Sequence, residues 1–414
     1  MTQGISNLSS AEVIVVGGGP AGLMAAIQAG QRGRSVVLIE KNFSFAPKLL
    51  LTGHGRCNIT NTSSREEYFA RLGPNAEFLR DAFVHFFHPQ LIKFYESRGL
   101  PIKQEAEGRC FPATEKAADV ARILTDELQL KNVRIQLGKT VQQLLIGDGR
   151  IQGVQYVNGK VISSSSVVLA TGGLSYPQTG STGDGLRFAE QSGHQIVSPR
   201  PGLAGLVCQV PRWRDLKGIS LYGVGLRLIL GKKILFDRVG DIMATHYGLS
   251  GPVVLNASNY VSAALQAGKP VEALIDFIPA TTSDQLRASL AAAGNAGIGS
   301  ALNKRLTRRL VDFLLDSVKI SPQKKISELN QKNVEHILDV IKNFAMPVTA
   351  SLPLESAMIT LGGVSLKDID PRTMQSRKVQ GLFFAGEIMD IAGESGGFNL
   401  QAAFSTGYVA GHFA

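Results

Sequence analysis

The sequence predicts an α/β fold: a Rossmann-like dinucleotide-binding domain interrupted by an inserted β-rich domain with a helical subdomain. Three observations predict it. The chain opens with an apolar run, a glycine-rich turn and a small-residue stretch, Val13-Ile14-Val15-Val16-Gly17-Gly18-Gly19-Pro20-Ala21-Gly22, and reaches an acid, Glu40, eighteen residues after Gly22. Further glycine turns follow apolar runs at Ala170-Thr171-Gly172-Gly173 and Ala385-Gly386-Glu387. Between residues 201 and 345 the pattern changes to short alternating strands and then helices, before glycine-rich strands return.

The opening segment reads as strand, turn, helix and second strand. Gly17 allows the tight turn, Gly19 lets the backbone approach a pyrophosphate, and Gly22 lets the helix lie close on the sheet. Pro20 and Ala21 open that helix, whose free N–H groups point at the phosphates. The second strand, 35–39, ends at Glu40, where an acid accepts hydrogen bonds from ribose hydroxyls, and Lys41 follows it. The motif alone does not separate FAD from NAD.

Length and composition bound the rest. A chain of 414 residues is too long for one core and predicts two or three domains. With 44% hydrophobic and 18% charged residues it reads as globular, and its 45 glycines fit many tight βα turns rather than low complexity. Cys57, Cys110 and Cys208 are widely spaced and form no metal-ligand pattern, so no metal is expected. Residues 1–12 lack the basic and apolar regions of a leader, and no apolar run approaches eighteen residues. A cytoplasmic protein is expected. The formal charge is +10, and residues 201–345 carry 18 Lys+Arg against 11 Asp+Glu. Such a basic domain attracts a polyanion or an acidic substrate.

Along the chain, the spacing predicts helices over 78–99, over 114–130 with Thr114 as cap, and near the end over 399–411. Strands are predicted at 133–137, 141–146, 151–157 (after a Gly147-Asp148-Gly149 turn), 167–170 and 381–384. The expected domains are 1–200 and 346–414 for nucleotide binding, 201–281 for the β-rich insertion and 282–345 for its helical subdomain. Within the last, leucines recur at 302, 306, 310 and 314, with Lys304, Arg305, Arg308 and Arg309 on another face.

The C-terminal Gly393-Glu394-Ser395-Gly396-Gly397-Phe398-Asn399-Leu400 leads directly into a helix, so bare N–H donors there face an anion. In a flavin site that anion is the reduced isoalloxazine, and stabilising it raises the reduction potential.

These motifs, with Lys48 to Asn61 around Gly55-Arg56-Cys57-Asn58, Leu174-Ser175-Tyr176-Pro177, and Thr245-His246-Tyr247-Gly248-Leu249-Ser250-Gly251-Pro252, resemble the BaiN-like FAD-dependent oxidoreductase family. The likeness spans nearly the whole chain. It implies a two-dinucleotide-type FAD-binding domain carrying the insertion. It also implies that Gly17, Gly19, Gly22 and Glu40 hold the ADP half of FAD. Arg56, Asn58, Gly386, Glu387, Asp390, Asn399 and Leu400 would then surround the phosphates, ribityl chain and flavin ring. Lys48 supplies charge to the pyrophosphate or packs under the flavin, and Val141 sits at adenine. Ala170, Thr171, Gly172, Gly397 and Phe398 complete the set. His54 departs from the small residue such a loop would carry.

The resemblance implies hydride transfer through flavin N5, with NAD(P)H-linked reduction of a ring C=C bond as the expected activity. The alternatives are reduction of uridine to dihydrouridine in ribosomal RNA, and oxidation of a small amine or aminoketone. RNA contact would run through Lys304, Arg305, Arg308 and Arg309. No second GxGxxG is visible for a nicotinamide cofactor, so NAD(P)H is expected in the substrate cavity. His246 is a candidate proton donor, weighed against a plain hydrogen-bonding role at the domain junction. Cys57 is a candidate donor or adduct former, weighed against a buried structural thiol. Tyr176 and Arg187 are lesser candidates.

Overall fold

Val13–Val16, Val36–Glu40, Ser166–Leu169 and Leu382–Phe384 are apolar runs, nearly all buried, as strands covered on both faces must be, whereas the edge strand Arg134–Leu137 is mixed and half-buried. In the computed structural model they form one parallel sheet, ordered Leu382–Phe384, Ser166–Leu169, Val13–Val16, Val36–Glu40, Arg134–Leu137. One row of the register runs Leu382, Val167, Ile14, Val37, Arg134. The structure describes residues 10–131 and 133–414; residues 1–9, most of the segment read for a leader, lie outside the described residues.

Helix Pro20–Gln31 follows the first strand, with Pro20 at its start where a missing N–H costs nothing. The last helix, Phe398–Phe413, packs across it. Two glycines allow this: a Cβ on Gly407 would lie 2.2 Å from the Ala21 carbonyl oxygen, and one on Gly411 2.1 Å from that of Ala25. A three-stranded meander, Val141–Gly147, Arg150–Tyr156 and Val161–Ser163, turns at Asp148-Gly149, both left-handed as a tight hairpin requires.

The chain divides into two compact units, residues up to Pro199 with Met358–Ala414, and Arg200–Ala357. In the second, Leu206–Cys208, Gly248–Ser250, Lys233–Ala244, Ser220–Leu230, Val271–Asp276 and Phe344–Ser351 close into an antiparallel barrel in that order. The expected boundary at 346 is corrected to 358, because Phe344–Ser351 pairs with Val271–Asp276 and Leu206–Cys208 and so closes the barrel. The β-rich segment also holds a helix, Pro252–Gln266. Helices Ser283–Ala292, Arg308–Ser317 and Gln331–Lys342 share one apolar core with the barrel, so 282–345 has no core of its own.

Two helix predictions are also corrected. The span 78–99 breaks into Arg80–His85 and His88–Glu96, because Pro89 is tolerated only in the first turn of a helix and so starts a new one. The span 114–130 starts at Ala117, since left-handed Glu115 separates Thr114 from the first turn. Of the repeating leucines, Leu302 ends helix Ile298–Leu302, Leu310 and Leu314 lie in Arg308–Ser317, and Leu306 lies in the turn between them, before extended Thr307.

Among the described residues no helix is long and apolar enough to cross a membrane.

Candidate functional site

One cleft lies across the carboxyl ends of all five parallel strands, the place where open α/β sheets bind ligands. Ala385, Ala170, Val16, Ile39 and Lys139 line it in sheet order. Gly17 is left-handed (φ 108°), and a Cβ there would stand 2.4 Å from the Ala170 carbonyl oxygen. Gly22 is behind the lining, where a Cβ would meet the Gly17 carbonyl oxygen at 1.9 Å. These two glycines build the turn. Gly19 differs: it lines the cleft and a Cβ would meet no protein atom within 4 Å, so its bareness leaves room for a ligand. Pro20 and Ala21 line the cleft beside it.

Glu40 is buried, with Oε2 accepting from the Gly18 N–H (2.7 Å) and Oε1 from the Asn42 N–H (2.8 Å). It therefore clamps the glycine turn as well as facing the cleft, and each oxygen keeps a lone pair for a ribose hydroxyl. Lys41 lines the cleft but spends its ammonium on Asp184 (2.8 Å) and Thr182. Val141, Ala170, Thr171 and Gly172 also line it. The Thr171 hydroxyl is buried and finds no hydrogen-bond partner in the protein. An orphaned hydroxyl in a concave site is a donor awaiting a ligand.

Lys48, Gly386 and Glu387 also line the cleft, with Asn399 and Leu400 from the first turn of helix Phe398–Phe413, and a Cβ on Gly386 would stand 2.8 Å from that of Ala21. Lys48 Nζ and Glu387 Oε2 are 2.7 Å apart. Two helix N-termini, at Pro20 and Phe398, thus open on one cavity.

Comparison with known proteins agrees with this architecture. The family described as HI0933-like protein Rossmann domain matches residues 11–413. The chain belongs to the HI0933-like family. A 3-dehydro-bile acid delta(4,6)-reductase of Clostridium scindens is 29% identical over 406 residues, covering 97% of this chain and 98% of that one. A ribosomal RNA dihydrouridine synthase of Escherichia coli is 30% identical over 398 residues, covering 96% of each. The solved 3-ketosteroid delta1-dehydrogenase of Sterolibacterium denitrificans shares the fold at 15% identity and TM-score 0.53, covering 97% of this chain and 99% of that one. As a family member, this HI0933-like chain is an oxidoreductase.

Several predicted residues of this HI0933-like chain are used elsewhere. Arg56 does not line the cleft. Its guanidinium pairs with Glu105 and Glu115 and lies 4.2 Å from the Phe111 ring centroid. Asn58 accepts from the Cys110 N–H (3.2 Å), and Asp390 accepts from the Asn75 amide (3.0 Å). Gly397 is needed at the helix start, where a Cβ would press on the Thr60 carbonyl, and Phe398 packs edge-on against Tyr68. Asn399 lines the cleft but its amide holds its own loop, bonding the backbone of Gly393 and Glu394. Gly173 clears space for Thr360 rather than for a nucleotide. Tyr176 is left-handed (φ 51°) before a short turn, and Arg187 stacks on Phe188.

Cys57 is fully buried, and burial pushes its thiol up to about 12. This corrects its reading as a reactive group, since the thiolate is the nucleophile. Burial likewise raises Cys110 to about 11 and Cys208 to about 12. At pH 8 the folded protein is expected to resist thiol alkylation and to label only on unfolding, which mass spectrometry checks. These folded pKa values lie above the unfolded ones, so the stabilisation is complete below about pH 8.5 and falls as pH rises from there. Chemical denaturation at pH 8 and pH 10 reads that loss.

His246 is exposed in the second unit, between strands Lys233–Ala244 and Gly248–Ser250, its ring 5.1 Å from that of Tyr247. Sequence reasoning missed Ser175 and Thr360. They anchor Lys48 and Glu387, yet Thr360 stands 185 residues from Ser175 in the chain, and no local motif joins them.

Proposed function

We propose that the chain is an FAD-dependent reductase that adds hydrogen across a ring C=C bond, drawing electrons from NAD(P)H. The observation that carries this reading is the end-to-end similarity to two relatives, a bile-acid delta-reductase and a dihydrouridine synthase, whose names both describe saturation of a ring double bond. The cleft fits the cofactor at Gly19, at the orphaned Thr171 hydroxyl and at the Glu40 carboxylate.

FAD would supply hydride from N5 of its reduced ring. The N–H groups at the start of helix Pro20–Gln31 hold the pyrophosphate, and Glu40 takes the adenosine ribose. Val141 borders the adenine end. Lys48, Gly386, Glu387 and Leu400 enclose the ring end, beside the N–H groups opening the last helix. His246 does not line the cleft, and its candidacy as proton donor rests on the sequence alone. Replacing it by glutamine should leave flavin content intact and lower turnover, and unchanged turnover removes it. Anaerobic mixing with NADH and NADPH tests the donor: bleaching of flavin absorbance within seconds supports the reading, and none sinks it.

One observation favours ribosomal RNA as the substrate. The Arg309 guanidinium donates to the Asp215 carbonyl, placing the start of helix Arg308–Ser317 beside the 212–217 loop. Arg212, Arg214 and Lys217 then adjoin Lys304, Arg305, Arg308 and Arg309, seven cations against Asp215, Asp312 and Asp316. Several of these are tied into the protein: Arg212 pairs with Asp215 and Asp316, and Arg305 bonds Thr281. RNA affinity is expected to fall with salt by about 0.7 log units per log unit of salt for each phosphate contacted. Loss of one dihydrouridine from ribosomal RNA in cells lacking the gene, read by nucleoside mass spectrometry, would place the substrate there. An identical profile returns it to small molecules.

A further inference from the structure

The cleft is lined by an ion pair whose partners, Lys48 and Glu387, come from opposite ends of the chain. Lys48 Nζ donates to both Glu387 oxygens (2.9 and 2.7 Å) and to Ser175 Oγ (2.6 Å). Glu387 Oε1 also accepts from the Thr360 N–H (2.8 Å) and from Ser175 Oγ (3.1 Å). Thr360 Oγ1 in turn accepts from the N–H groups of Leu174 and Ser175. Gly173 leaves the space for this, because a Cβ there would stand 2.3 Å from Thr360 Oγ1. The pair is about four-fifths enclosed, with side-chain exposures of 22% and 23%. Both charges are therefore fixed in place at a wall with little water to screen them.

We propose that Lys48 is the cation that stabilises the reduced cofactor, and that Glu387 is a positioning residue that holds the ammonium and moderates its charge. The inference rests on the FAD reading above. Two-electron reduction leaves negative charge on the flavin ring, so a neighbouring cation favours the reduced form and an anion opposes it. The intact pair is close to neutral. Removing either partner leaves an uncompensated charge, and the sign depends on which one is removed.

The test is the midpoint potential of the FAD-loaded protein, measured anaerobically against a reference dye. Lys48→Met should weaken binding of the reduced cofactor relative to the oxidised by about tenfold, which lowers the potential by about 30 mV. Glu387→Gln should raise it. Lys48→Arg should stay near the unsubstituted value, as should the double variant Lys48→Met/Glu387→Gln. A merely structural pair would move both single variants the same way, and that result, or no shift in either, overturns the proposal. Lys48→Gln replaces the methionine variant if the latter does not hold FAD. Flavin content is read from the spectrum before titration, and its absence from the unsubstituted protein overturns the FAD reading itself.

Discussion

Replacing Gly19 by valine is expected to weaken FAD binding by at least about 100-fold, roughly 2.7 kcal/mol, while leaving the fold in place. Gly19 caps helix Pro20–Gln31 with ordinary extended backbone (φ −81°, ψ 179°), so valine meets no conformational barrier there. Its side chain would meet no protein atom within 4 Å of Cβ and would project into the cleft. The loss of a glycine cap costs about 1 kcal/mol at most. Titration of apoprotein with FAD, followed by flavin fluorescence, checks the affinity, and a melting curve checks the fold. Unaltered affinity would show that the pyrophosphate does not cross this turn.

Replacing Gly407 by valine should do the opposite, lowering stability first. Its Cβ would press into the Ala21 carbonyl oxygen at 2.2 Å, against backbone that cannot give without moving helix Pro20–Gln31. Overpacking of this kind costs about 3 kcal/mol. The displaced helix carries Pro20 and Ala21 away from the cleft, so flavin affinity falls together with the melting temperature. Gly19 and Gly407 thus separate a glycine kept for a ligand from one kept for packing. A Gly407→Val protein as stable as the unsubstituted one would refute the helix contact.

The sheet was legible because all its strands but the edge strand Arg134–Leu137 are short apolar runs, and Gly17, Gly22 and Glu40 mark the first crossover at fixed spacing. What misled lay where one residue overrides a pattern. Pro89 cuts an apolar periodicity that is otherwise continuous, and Thr307 parts two helices whose leucines keep the same spacing. The barrel boundary was misplaced because Phe344–Ser351 alternates like any strand, and only its partners show which sheet it joins.

Of the residues singled out in the glycine motifs, Gly17, Gly19, Gly172 and Gly386 line the cleft and Gly22, Gly397 and Phe398 do not. Arg56 sits in a recognisable loop, yet its charge goes to Glu105 and Glu115, acids some fifty residues onward. Ser175 and Thr360 anchor the Lys48–Glu387 pair through contacts across 127 and 27 residues of chain, a separation no local pattern carries.

The cleft across the five strand ends is the centre of the proposed function, and flavin retention is its direct test. Protein purified, incubated with excess FAD and desalted should carry close to one FAD per chain, identified by chromatography after heat release. It should carry no FMN in its place, because in the proposed site Glu40 and the Gly17 turn would serve the adenosine half that FMN lacks. Protein that retains no flavin, or that binds FMN equally well, would contradict it.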